Sequence, residues 1–220
     1  MQENSIILID KPASMTSFGV VARVRRVLSR ESGKRVKVGH TGTLDPFATG
    51  LMILVTGNEC KNAGLYSKLD KIYEATIQLG QISTTGDTEG EISQVSDIIP
   101  STDDINKTIA KFIGDINQKP PIYSAIKIDG QRAYKMARAG KTVEMPVRQV
   151  KIYNLEVIGY KYPELKIRAN VSSGTYIRTL AEDIGSDLGT GAYCKQLRRT
   201  SIDKWQIDDA KTLGDLGIID

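Results

Sequence analysis

Hydrophobic residues recur along this chain with two spacings, and the spacings predict its elements. Residues 5–9 form a short apolar run closed by Asp10-Lys11-Pro12, which reads as a buried strand. Val20, Val21, Val24, Val27 and Leu28 fall on one face of a helix that Thr16 or Ser17 can cap, and Arg23, Arg26 and Arg30 fall on the opposite face. A continuous apolar run at 51–55 predicts a second buried strand. Tyr73, Ala75, Ile77 and Leu79 alternate with Glu74, Thr76 and Gln78, the period of a strand with one face in solvent. Ile105, Ile109, Phe112 and Ile113 give a helix stripe, capped near Thr102 and stopped at Gly114. Val150 with Ile152, then Leu165, Ile167, Ala169 and Val171, predict further strands. Ile177, Leu180, Ala181, Ile184 and Leu188 line a helix that ends at Gly189.

Residues 118–130, QKPPIYSAIKIDG, break this texture with a proline pair and polar tips, and lead into a short basic helix over 132–139. They read as a surface arm rather than core. Strands and helices alternate without βαβ regularity, and no internal repeat or low-complexity linker appears. The fold class is α+β, one mixed, largely antiparallel sheet with helices packed on it, in a single domain over 1–220.

Composition narrows the function classes. At 220 residues, with 40% hydrophobic and 25% charged positions, the chain is long enough to bury a core. Cys60 and Cys194 lie far apart, and with the lone His40 they show no metal-ligand spacing, so ordinary thiols, no metal and no cofactor are expected. No segment has the length to span a bilayer and the N-terminus lacks a basic leader, so a cytoplasmic location is expected. The net charge of +4 is unremarked by itself, but its distribution is not. Seven basic residues stand between Arg23 and Lys37, seven more between Lys127 and Lys151, and the segment from Ile82 to Asp104 holds six acids with no Lys or Arg. Two basic segments flanking an acidic one favour a polyanionic partner, nucleic acid first.

Candidate chemistry concentrates in VGHTGTLDPFATG, residues 38–50. Asp45 stands between Leu44 and Pro46 in a loop of small residues, five positions after His40 and just before the apolar run. A plain turn is the competing reading, since Gly, Thr, Asp and Pro are ordinary turn formers. Ala139-Gly140-Lys141-Thr142 imitates a phosphate loop, but Lys135 stands where that motif needs glycine. With one histidine, Ser-His-Asp chemistry has no obvious partner set. A carboxylate is therefore the expected chemical group of any enzyme here.

The run from Val38 to Gly50 resembles the signature of the TruB family, the bacterial tRNA pseudouridine-55 synthases. Five further segments resemble that family in order. They are Asp10-Lys11-Pro12 with Met15-Thr16-Ser17, Lys71-Ile72-Tyr73-Glu74-Ala75, Pro120-Pro121-Ile122-Tyr123-Ser124-Ala125-Ile126-Lys127, Ser173-Gly174-Thr175-Tyr176-Ile177-Arg178-Thr179-Leu180-Ala181, and Leu197-Arg198-Arg199-Thr200. Together they cover nearly the whole chain. Tyr193 departs from the family's frequent histidine, and a chain ending at Asp220 reads as a short form without the small C-terminal RNA-binding (PUA-type) domain that many members carry.

The resemblance implies a pseudouridine-synthase fold whose arm at 118–140 grips RNA. It implies a reaction that detaches uracil from ribose at N1 and reattaches it through C5. One nucleophilic carboxylate, Asp45, serves such a reaction because the base never leaves. Arg178 is implied as its counter-charge, favouring the ionised acid by about 1–3 pKa units; the alternative is a solvated residue at a helix start. Tyr73 is implied as the ring on the target base, with Tyr176 and Leu197 completing the uracil pocket; strand and core packing are the alternatives. His40 is implied to enter the space vacated when the uridine swings out of its stack. Lys11, Lys61, Lys127 and Arg132 are expected at phosphates. The expected partner is the T stem-loop of tRNA, bound by a monomer with no protein partner and no membrane. Two alternatives stay open: a non-catalytic tRNA-folding module, and a guide-RNA-dependent synthase of the dyskerin type.

Overall fold

The computed structural model describes residues 4–218. In chain order, β1 (Ile6–Lys11) leads to α1 (Ser17–Ser32), β2 (Val38–His40), β3 (Thr49–Thr56), α2 (Ala63–Ser67) and β4 (Lys71–Leu79). Next come β5 (Gln81–Ser83), β6 (Ile92–Gln94), α3 (Thr102–Lys111) and β7 (Gly114–Gln118). The arm contains β8 (Lys127–Ile128), β9 (Gln131–Arg132) and α4 (Ala133–Arg138). The chain closes with β10 (Arg148–Lys161), β11 (Glu164–Val171), α5 (Ile177–Asp187), β12 (Ala192–Ile202) and β13 (Trp205–Gln206). The expected fold class holds: a mixed, largely antiparallel sheet with helices.

Two compact units arise, Met1–Tyr73 with Arg198–Asp220, and Glu74–Leu197. In the first, β3 lies between β1 and the end of β12, and β2 pairs with β3 beyond them. β1 runs antiparallel to β3 in the register Leu8↔Ile53, whereas β12 runs parallel to it, Arg199 opposite Gly50. Leu51, Ile53, Val55 and Ile202 form a buried cluster there. α1 begins where Thr16 accepts a hydrogen bond from the Gly19 amide (2.9 Å) and ends at Gly33, whose φ of 68° is the left-handed geometry of a helix C-terminus. Of the predicted stripe Val20, Val21, Val24 and Leu28 are buried and Val27 is half-buried.

In the second unit β4 is followed by β11, β10 and β7. β10 is antiparallel to both β11 and β7. Its 14 residues far exceed the two apolar positions that announced it, because one face stays in solvent. α3 is capped by Ser101 rather than Thr102, in a capping box with Asp104. β4 also differs from its pattern. Thr76 and Gln78, expected in solvent, are buried with the apolar set, and they meet Gln196 and Lys195 by side-chain hydrogen bonds of 3.2 and 3.1 Å. A polar side chain goes inside when a partner replaces its water.

Candidate active site

The loop 41–48 between β2 and β3 carries Asp45, and the five consecutive carbonyls of residues 42–46 each accept a hydrogen bond. Arg199 donates through Nη2 to the Gly42 oxygen (3.2 Å), through Nη1 to that of Thr43 (3.5 Å) and through Nε to that of Leu51 (2.7 Å). Ser17 Oγ donates to the Leu44 oxygen (2.9 Å) and accepts from the Leu44 amide (2.8 Å). The Asp45 oxygen accepts from the Ala48 amide at 3.2 Å, closing a tight turn. Lys11 Nζ donates to the Pro46 oxygen (3.1 Å), and to those of Pro12 and Met15 at 2.7 Å each. Beyond the loop, Gly50 has φ 109°, and a Cβ there would stand 2.3 Å from the Arg199 carbonyl oxygen. Only glycine lets β3 and β12 approach so closely. Asp45 thus sits, half-buried, on a backbone that three buried side chains, Arg199, Ser17 and Lys11, hold in place.

This corrects one expectation. Lys11, expected at a phosphate, is 0% exposed, with its ammonium spent on three backbone carbonyls. It braces the Asp45 loop. Lys61 and, in the second unit, Lys127 and Arg132 are exposed, as contact with a phosphate requires.

Tyr73 and His40 lie in the same unit as Asp45. Tyr73, on β4, is 8% exposed; its hydroxyl is 3.4 Å from Arg199 Nη1 and its ring centroid 5.9 Å from Arg199 Cζ. His40 is half-buried on β2, opposite Leu54. Lys71 lies behind the loop, donating to the carbonyls of Ser67 (2.9 Å) and Leu69. Burial, reinforced by the Arg199 guanidinium and opposed by Asp70, holds its ammonium down at about 8.

The second unit holds Arg178, Tyr176 and Leu197. Arg178 is 3% exposed, so the solvated reading fails. Its Nη1 donates to Asp87 Oδ2 (3.0 Å) and the Thr85 oxygen (2.8 Å), and its Nη2 to the Tyr123 oxygen (2.8 Å). Asp87 is itself fixed by the Thr85 hydroxyl (2.6 Å) and the Glu89 amide (2.9 Å). Burial raises the pKa of nearby Glu182, and Arg178 opposes it. The half-buried Tyr176 precedes α5, where the Gln118 amide clasps its backbone from both sides: Gln118 Nε2 donates to the Tyr176 oxygen (3.0 Å) and Gln118 Oε1 accepts from the Tyr176 amide (2.8 Å). The root of the arm is thereby tied to the start of the helix that carries Arg178. Leu197 is 8% exposed, and Tyr193 is buried.

Arg199 stands within a motif that implies no part for it, and Asp87 is legible only as one of the acids of 82–104. A buried ion pair leaves no periodic signal. The glycine at 50 and the arginine pair at 198–199 were the available hints. Among the described residues no cluster of His, Cys, Asp and Glu could hold a metal ion, and no helix is long and apolar enough to cross a membrane.

Comparison with known proteins decides the family. The TruB family pseudouridylate synthase (N-terminal domain) model matches residues 25–177, and the tRNA pseudouridylate synthase B C-terminal domain model matches 178–218. The chain belongs to the TruB family. The TruB-family relatives include a tRNA pseudouridine synthase B of Opitutus terrae, 43% identical over 96% of this chain and 86% of its own length. A protein of the same name from Mycobacterium sp. (strain KMS) is 45% identical over 94% of this chain and 70% of its own. Among solved structures, a chain of a Cbf5-Nop10-Gar1 complex matches with a TM-score of 0.74 and 30% identity, over 97% of this chain and 53% of that one. This TruB-family chain spans about half the length of that solved chain.

Proposed function

We propose that the chain converts a uridine in the T-loop of tRNA, position 55, to pseudouridine, with Asp45 as the nucleophilic carboxylate. The observation that supports this reading best is the bracing of the Asp45 loop: a carboxylate on a backbone whose carbonyls at 42–46 already have donors is presented in one geometry. The reaction balances without a co-reactant. The N1–C1′ bond breaks, a C5–C1′ bond forms, and a proton leaves C5 while N1 gains one. Tyr73 stacks on the uracil and assists removal of the C5 proton, Arg178 supplies the counter-charge of the carboxylate, and Tyr176 and Leu197 line the uracil. His40 fills the gap left by the extruded uridine, whose unstacking costs a few kcal/mol. Lys61, Lys127 and Arg132 meet phosphates. Recognition of tRNA by the protein alone, rather than through a guide RNA, is favoured by the higher identity to the tRNA pseudouridine synthase B relatives, 43% and 45% against 30% for the Cbf5 complex.

Asp45→Asn tests the assignment. It keeps the loop's shape and removes the charge, so conversion of a tRNA transcript should fall by about 10⁴-fold or more, while tRNA binding stays within about threefold (~0.65 kcal/mol). Ready pseudouridine formation by the variant removes Asp45 from the chemistry. No conversion by the wild-type chain removes the reaction.

A further inference from the structure

We infer that Arg199 is a positioning residue for this reaction, holding the Asp45 loop and the Tyr73 hydroxyl in one rigid frame; the inference rests on the reading that Asp45 and Tyr73 act on the uridine. Arg199 is 1% exposed and heads the largest fully buried side chains of the molecule. Its donors go to the carbonyls of Gly42, Thr43 and Leu51 and to the Tyr73 hydroxyl. A guanidinium satisfied by carbonyls rather than a carboxylate is a costly way to fill a core, where an apolar side chain packs without desolvating a charge. What an apolar residue or a lysine cannot supply is the planar fork, which reaches several acceptors in fixed directions.

The acceptors are what make the fork consequential. Gly42 and Thr43 open the loop, Leu51 lies on the strand that follows it, and Tyr73 belongs to β4. One group therefore sets the distance between the segment that presents Asp45 and the phenol. Because Nη1 donates to the Tyr73 oxygen, that oxygen is the acceptor and its own proton points away from Arg199. The ring meanwhile lies beside the cation, at 5.9 Å. Arg199 is in turn placed by its backbone pairing with Gly50. Its action on the reaction runs through Asp45 and Tyr73, with no contact to the substrate required.

Arg199→Lys is the test, since it keeps the buried charge and removes the fork. It is compared with Ile202→Val, a conservative change of the buried core three residues along β12. Expected for Arg199→Lys is a single-turnover rate about 100-fold lower with a tRNA dissociation constant within about twofold of wild type, whereas Ile202→Val leaves both within about twofold. Combining Arg199→Lys with Tyr73→Phe should lose less than the product of the two single losses, because the Arg199–Tyr73 contact is common to both while the contacts to the Asp45 loop are not. Hydrogen exchange of the 41–48 amides, among them the bonded Leu44 and Ala48, should quicken about tenfold while the α3 amides do not change. Unchanged exchange at 41–48 overturns the frame, with or without catalysis. Quickened exchange with a wild-type rate overturns its bearing on the reaction, and losses that multiply fully in the double variant overturn its hold on the Tyr73 hydroxyl. A wild-type chain that forms no pseudouridine strikes the parent reading instead, and the exchange result still decides the frame.

Discussion

Two loop segments of this chain are rich in turn formers and bordered by cations, and they place those cations differently. Around residues 41–48 the cations are inside: Lys11 is 0% exposed and Arg199 1%, and their protons go to backbone carbonyls. In the arm over 118–140, Lys127, Arg132, Lys135 and Arg138 face solvent. The arm keeps its form by other means. Ala133, Val143 and Met145 make a small apolar cluster with Ile126, Ile128 and Met136, and the Ala133 amide donates to the Ile126 oxygen at 2.8 Å. A cation enclosed by carbonyls fixes a backbone, whereas a cation in water remains free to meet an anion. The first arrangement suits a group that must react in one geometry, the second a surface that follows a polyanion.

The sharpest way to break the rigid region is at Gly50. Gly50→Ala forces a side chain into left-handed backbone, at a cost of about 1–3 kcal/mol. It also drives a Cβ to 2.3 Å from the Arg199 carbonyl oxygen. Parting β3 from β12 displaces the Arg199 fork as well, so a total loss above about 4 kcal/mol is expected, read as a much lower urea midpoint and little soluble protein. A midpoint near wild type would mean that the close approach is not required. Lys11→Met removes the donor from three carbonyls at once and keeps the packing volume. Each abandoned acceptor costs about 1 kcal/mol or more, so a loss of about 3 kcal/mol is expected, lowering Tm by roughly 6–12 °C at this size. The tRNA dissociation constant measured on the folded variant should not change, which separates a brace from a phosphate contact.

Lys71 sharpens the comparison through pH. Its folded pKa is pushed down to about 8, below the ordinary value of about 10.4 that it recovers on unfolding. Between those values the unfolded chain binds the proton and the folded chain does not, so stability rises with pH there. Below about 8 both states hold the proton, and the buried charge weighs against folding in full. The slope for this one group is about 1.4 kcal/mol per pH unit inside the window. Lys71→Met removes it, so the advantage of the variant over wild type should shrink by a few kcal/mol between pH 8 and 10. An advantage independent of pH would show that Lys71 keeps an ordinary pKa.

Which of these features the sequence discloses follows from how each is made. The stripe of α1, the alternation of β4 and the odd texture of the arm are periodic or compositional, so they are legible. β12 is not. Lys195, Gln196, Arg198 and Arg199 interrupt its apolar residues, and no strand is expected there, yet its end pairs with β3, the buried strand of the first unit. Arg199 is itself the reason the strand hides, because a guanidinium satisfied inside a core reads as a surface charge. Lys11 and Asp87 mislead in the same way. Asp45 is legible because a lone carboxylate stands out by type in a run of turn formers; the clamp that holds it is not, since carbonyl acceptors carry no side-chain signature.

The smallest expected effect belongs to the arm. If its exposed cations meet phosphate, Lys127→Ala with Arg132→Ala removes two contacts without disturbing the fold, since neither side chain is buried. Each phosphate contact contributes about 0.7–0.9 to the slope of log affinity against log salt, so the double variant should be shallower by about 1.4–1.8. Near 0.1 M salt the affinity itself should drop only a few-fold per site, because exposed charges there are well screened. Tm should stay within about 2 °C, as expected for surface substitutions of about 0.5 kcal/mol or less. Slope rather than affinity is the discriminating quantity. A brace such as Lys11 changes stability and leaves the slope alone, while a phosphate contact does the reverse. An unchanged slope in the double variant would place these two residues among the solvated charges of the surface and leave Lys61 and the Arg23–Lys37 cluster as candidates, testable by the same titration.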